Sequence, residues 1–222
     1  MSETLWDWGP EDGVLFSRSR EGDSQKERLL EAGVTLFARQ GFEGTSIRDL
    51  AREAGCNSSL VSYHFGSKEG LYRAVLQGHF DVLMENLEVL KGRDEPPIRR
   101  LVSVCRLVMG MHRRYPHLWP LVLREMQRPT DALTEMFQRA VACLAGYVME
   151  TLREGIRQGL FREDLVPEHG TLALAGMLNF YFLSEPVSGF LIPRGPETDE
   201  IYAQQVLALF LDGVRLPEED GR

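Results

Sequence analysis

The chain has little of what most functional classes require. Its three cysteines, Cys56, Cys105 and Cys143, are widely spaced and form no CxxC pair, so neither a zinc site nor a disulfide framework is expected. No apolar run approaches bilayer-spanning length. The N-terminus lacks a basic segment followed by an apolar one, so no secretory leader is expected. These absences predict a cytoplasmic protein with no membrane partner. Strand signals are scarce, since no Asn-Gly or Asp-Gly turn sits between alternating apolar residues. There is no HExxH, no Gly-rich phosphate loop and no nucleophile–base pair, so no enzyme and no cofactor are expected. His112 and His117 are five apart with a proline between them and no third ligand nearby, so no metal is expected there either. Basic charge is also in short supply. The net charge of −8 argues, taken whole, against a nucleic-acid partner.

The distribution of charge says more than its total. Residues 1–23 carry two basic and six acidic side chains, whereas residues 24–73 carry seven basic and six acidic. The remaining 149 residues, 74–222, carry 16 basic and 21 acidic. Residues 24–73 are therefore the least acidic part of the chain.

What is present is helical periodicity, repeated almost from end to end. It predicts an all-α protein of about nine helices. Residues 1–23, rich in acid, Gly and Pro, are expected to form a flexible arm. Ser24 and Glu27 spell a capping box that opens a helix over about 24–40, with Gly41 as its stop. Thr45 or Ser46 caps the next helix, which Gly55 ends. Asn57 caps a short helix over about 58–64. Ser67 caps a long one running to Gly92. Beyond Pro96–Pro97, helices are expected through Ile98–Met111, around 118–126, over 131–159, over 167–184 and over 199–214, with a loop at 185–196. The chain thus divides into the arm at 1–23, a region of short helices at 24–72, and a longer helical body at 73–222.

The stretch GTSIRDLAREAGCNSSLVSYHFGSKEGLY, residues 44–72, is spelled unlike a core helix. Two short helices joined by a Gly-containing turn make a helix-turn-helix. The major groove of double-stranded DNA admits one helix, whose N-terminal residues meet base edges. The short side chains of Ser58, Ser59 and Ser62 let that helix come close. Val61 and Phe65 are placed to face the core, while Tyr63 and His64 flank the groove and bond phosphates. Amides at helix starts bind phosphate oxygens, which adds Ser46 at one start and Ser67 and Lys68 at another. Lys68 opposes the dipole of its helix, a conflict that a nearby anion would relieve. Arg48 is long enough to reach a base edge or a phosphate.

Residues 24–72 resemble the DNA-binding domain of the TetR family of bacterial transcriptional regulators. The resemblance runs through RLLEAGVTLFARQGFEGTSI at 28–47, RDLAREAG at 48–55 and YHFGSKEGLY at 63–72. It implies a three-helix reader, a helical ligand-responsive body and a homodimer. It also supports contact roles for Ser46, Arg48, Tyr63, His64 and Lys68. The spelling NSSLVSYHFGSKEGLY is similar to the CecR-type subgroup. Many family members have a Tyr where Ser62 stands and a Gly or Pro near Ser59; this chain departs from them at both positions.

The body offers further candidates. Helices over 167–184 and 199–214 are expected to pair with their copies across a twofold axis, through Ala175, Leu178, Phe182, Val206 and Phe210. A cavity for a small apolar or amphipathic effector is expected between the helices of Ile98–Met111, 131–159 and 167–184. Its candidate lining is Met109, Met111, Trp119, Phe137 and Tyr147. These features together predict a dimeric repressor released from a pseudo-palindromic operator by an effector. The competing readings are an all-α enzyme or lipid carrier using the same cavity, and a protein-interaction module. Steep salt dependence of binding separates a DNA reader from both.

Overall fold

The computed structural model describes residues 25–116, 120, 122, 123 and 131–215, the side chains of 131–134 and 137 excepted. The expected arm at 1–23, the cap at Ser24, and most of the expected helix at 118–126 lie outside the described residues. Among the described residues there are nine helices and no strand, only an isolated bridge between Phe161 and Arg215. The helices are α1 (Gln25–Gly44), α2 (Ile47–Glu53), α3 (Ser59–Phe65), α4 (Lys68–Lys91), α5 (Pro97–Arg114), α6 (Asp131–Arg157), α7 (Pro167–Leu183), α8 (Glu185–Ser188) and α9 (Pro196–Val214). The segment expected as a loop at 185–196 thus contains one turn of helix, α8. There Gly189 N–H returns to Glu185 O at 2.9 Å.

The described residues divide into two compact units. One takes residues 25–85 and those described within 114–140; the other takes 86–113 and 141–215. The helices α4 and α6 each contribute to both. The first unit therefore does not stop at residue 72, but includes most of α4 and the start of α6.

In the first unit, Leu29, Phe37, Leu50, Val61, Leu71 and Leu76 are all wholly buried. Each contributes about 1.5–3 kcal/mol by leaving water. Phe37, Phe42 and Tyr72 form an aromatic cluster, with the Phe37 and Tyr72 rings edge to face at 4.8 Å. Gly41 breaks α1 with φ 75° and ψ 175°, a conformation only glycine adopts readily.

In the second unit, α5, α7, α9 and the later part of α6 close around Leu101, Met109, Leu152, Phe161, Leu178 and Leu207. A polar cluster fixes α7 and α9. Tyr181 Oη donates to Asp199 Oδ1 at 2.8 Å, and Arg113 Nε pairs with Asp199 Oδ2 at 3.2 Å. The Arg194 guanidinium lies 3.6 Å from the Tyr181 ring centroid. A buried carboxylate is tolerated because it is paired in this way. The Cys105 thiol, wholly enclosed in this core, is pushed up to about 12 by burial, which leaves it protonated and inert.

Candidate nucleic-acid interface

Local signals in the sequence build the reading head piece by piece. Ser46 and Asp49 form a full capping box at α2: Ser46 Oγ accepts the Asp49 amide at 3.1 Å, and the Asp49 carboxylate accepts the Ser46 amide at 3.3 Å. The Ser46 hydroxyl also donates to Asp49 Oδ2 at 2.6 Å, and this bond, with that from the Ser46 amide, holds the Asp49 carboxyl below its ordinary range. The turn after α2 needs Gly55, whose φ is 61°. The N-cap of α3 is Ser58, one residue later than expected, and it makes no side-chain cap bond; Asn57 supplies the acceptor from the position before, its Oδ1 accepting from Ser59 N at 2.9 Å and Ser59 Oγ at 3.0 Å. Ser67 caps α4 by accepting the Gly70 amide at 3.1 Å.

The two sides of α3 differ sharply. Val61 is wholly buried, with Leu60 and Phe65 packed against the same core. Ser58, Ser59 and Ser62 are exposed, and Tyr63 is 80% exposed. Positions 58, 59, 62 and 63 share one face of a helix, so the exposed residues make one continuous polar edge carrying one large ring. His64 is half-buried at its margin, its ring 4.9 Å from that of Tyr63. Ser46 and Arg48 are exposed at the start of α2.

The height of this edge is set by Gly70. A Cβ there would lie 1.9 Å from the Phe65 carbonyl oxygen, so the end of α3 seats directly against the first turn of α4. Only a residue without a side chain permits that approach.

Lys68 is placed differently from the expectation. Its ammonium donates to Phe42 O at 2.9 Å and Thr45 O at 3.0 Å, and lies 4.1 Å from the Phe42 ring centroid. The conflict with the α4 dipole is therefore relieved by backbone oxygens beyond the break in α1. The sequence carried no signal for this, because the partners lie 26 and 23 residues away.

The body candidates are scattered. Met109 and Met111 are buried, and Tyr147 is half-buried with its hydroxyl 3.4 Å from Leu90 O. Trp119 and the side chain of Phe137 lie outside the described residues. A cavity of about 350 Å³ lies between α4 and the start of α6; Met109, Met111 and Tyr147 do not line it.

Of the residues expected at a twofold interface, Leu178, Val206 and Phe210 point into the core of their own unit. Phe182 stacks on His112 at 4.0 Å, and Ala175 is half-buried. The outward apolar residues of the same helices are Leu172, Phe180 and Leu183 on α7 and Ile201 and Leu209 on α9, all exposed. The helices expected to pair do carry an apolar outer surface, but on the opposite side from Leu178, Val206 and Phe210.

Comparison with known proteins agrees with this geometry. Residues 29–75 match the profile of the family described as bacterial regulatory proteins, tetR family. The chain is 27% identical over 169 residues to the HTH-type transcriptional repressor NicS of Pseudomonas putida, covering 74% of this chain and 78% of that one. It is 27% identical over 210 residues to the HTH-type transcriptional repressor KstR2 of Mycolicibacterium smegmatis, covering 89% of this chain and 94% of the relative. Its fold matches the solved structure of the ketosteroid transcriptional regulator KstR2 of Mycobacterium tuberculosis with a TM-score of 0.73 at 24% identity, over 89% of this chain and 98% of the other.

Proposed function

We propose that the chain, whose residues 29–75 match the family of bacterial regulatory proteins, tetR family, is a homodimeric, effector-released repressor reading a pseudo-palindromic operator. The observation that carries the proposal is the polar edge of α3, held clear of the head's core by Val61 and Phe65 beneath it. Each protomer lays that edge in a major groove, with Ser58, Ser59 and Ser62 against base edges and Tyr63 and His64 on the strands. Arg48 reaches a base edge or a phosphate from α2. Ser46 contributes a helix-start contact. Lys68 positions the turn before α2 through its two carbonyls, and one remaining donor is available to a phosphate.

The outward apolar residues of α7 and α9 support pairing of two copies. Leu172, Phe180, Ile201 and Leu209 are large apolar side chains exposed on these two helices, the kind of surface that a second copy would cover. An apolar or amphipathic effector binding better to a misplaced-head conformation shifts the equilibrium by that difference in affinity and no more. The α3 spelling further supports a place in the CecR-like subgroup. A chain that acts on DNA in this way works in the cytoplasm; among the described residues no helix is long and apolar enough to cross a membrane.

The test is selection of duplexes from a random pool by the full chain, followed by titration at several salt concentrations. The proposal expects a two-half-site duplex and affinity that falls steeply with salt. Salt-independent capture, or no enriched sequence, refutes it.

A further inference from the structure

The cavity between α4 and α6 is used neither by the reading edge nor by the apolar face of α7 and α9. All its lining residues belong to the same compact unit as the head. We propose that it is a binding site for a small amphipathic monocarboxylate, distinct from the body core. On the regulator reading above, its occupancy acts on α3 through α4. The consequence for DNA rests on the regulator reading above; the binding itself does not.

The floor is apolar. Phe80 and Ala140 are buried there, flanked by the half-buried Met84 and Met136. An aromatic ring and two flexible thioethers accommodate flat or flexible apolar groups of varied outline. The rim is polar and directional. Arg73 from α4 and Arg139 from α6 are both exposed, and among the described residues neither engages a carboxylate. A guanidinium presents a planar fork matched to a carboxylate. The two acids at the rim set the limit on charge. Asp81 already accepts the Gln77 amide at 2.5 Å, and Glu135 adds a second negative group, so a polyanion gains nothing and a single carboxylate is favoured. A volume of about 350 Å³ is at the small end of ligand pockets.

The route to the reading head is short. The stretch of α4 that lines the cavity, Arg73 to Met84, overlaps the stretch that carries Val75 and Leu76 into the head's core. At its start Gly70 bears directly on the last carbonyl of α3. A ligand that wedges α4 from α6 therefore moves the α4 turn on which α3 is seated.

The experiment uses the full chain, calorimetric titration with sodium 4-phenylbutyrate, and its uncharged counterpart 4-phenylbutanamide. The acid is expected to bind about tenfold more tightly than the amide, ~1.4 kcal/mol. The double variant Arg73→Gln/Arg139→Gln is expected to lose that preference at an unchanged melting temperature. Added acid is expected to weaken binding to the selected duplex in the wild type and not in the double variant. Equal affinity for acid and amide, absence of heat at millimolar acid, or a preference that survives in the double variant overturns the site. A chain that prefers the acid but selects no duplex sinks the regulator reading and leaves the site standing.

Discussion

Gly70→Ala tests how α3 is held. The added Cβ would sit 1.9 Å from the Phe65 carbonyl oxygen and 3.0 Å from its carbon. A methyl-to-oxygen contact needs about 3.3 Å, so α3 and α4 must part by roughly 1.4 Å by that measure. The obstacle is backbone, and no side chain can swing away to relieve it. Overpacking of this kind costs about 1–3 kcal/mol, offset by up to about 1 kcal/mol of helix propensity gained by replacing glycine. We expect a net loss of about 1–2 kcal/mol and a larger fractional loss of DNA affinity, because the displaced element is the reader itself. Gly78→Ala on the same helix is the control. A Cβ there meets nothing within 4 Å, so it should stabilise by about 0.5–1 kcal/mol. Denaturant melts of the two variants should move in opposite directions. A Gly70→Ala protein as stable as Gly78→Ala, binding the selected duplex normally, would refute the seating of α3 on α4.

Other expectations follow from named contacts. Lys68→Met removes an ammonium bonded to two carbonyls, so the head should lose about 1.5–3 kcal/mol per charged hydrogen bond at most. DNA affinity should fall with it, and a stability unchanged from wild type would show that those bonds do not form. His79 is buried, with Nδ1 2.6 Å from Val75 O, and burial lowers its pKa from the ordinary 6.5. A group depressed in the fold binds more protons unfolded, so stability is full above pH 6.5 and declines as pH falls below it. His79→Gln should flatten that decline in denaturant melts taken across pH, and an identical slope contradicts the burial argument. On α9, Leu209→Asp alters an outward residue at 67% exposure, whereas Val206→Asp buries a charge at a position 5% exposed. The first should yield folded monomers in light scattering and the second a collapse of the melting temperature; the reverse pattern would overturn the assignment of faces.

The reading head was legible in the sequence because its signals are local. Ser46 with Asp49, Gly55, Asn57 and Ser67 each act within four residues of themselves. Val61 against Ser58, Ser59 and Ser62 follows from helical period alone. What was not legible depends on distant neighbours. Lys68 meets carbonyls that no spacing rule connects to it. The helix α7 is apolar almost all round, so its period could not say that Leu178 turns inward and Phe180 outward. The cavity between α4 and α6 has no sequence signature either: its α4 lining, Arg73, Gln77, Asp81 and Met84, reads as an ordinary solvated helix face until α6 lies beside it.

The most direct test of the central claim is one substitution on the exposed edge of α3. Ser62→Glu places a carboxylate on the edge proposed to face the duplex, at a position the fold leaves in water. Its melting temperature should match the wild type while affinity for the selected duplex is abolished at every salt concentration. Wild-type affinity in Ser62→Glu would mean that this edge does not face DNA.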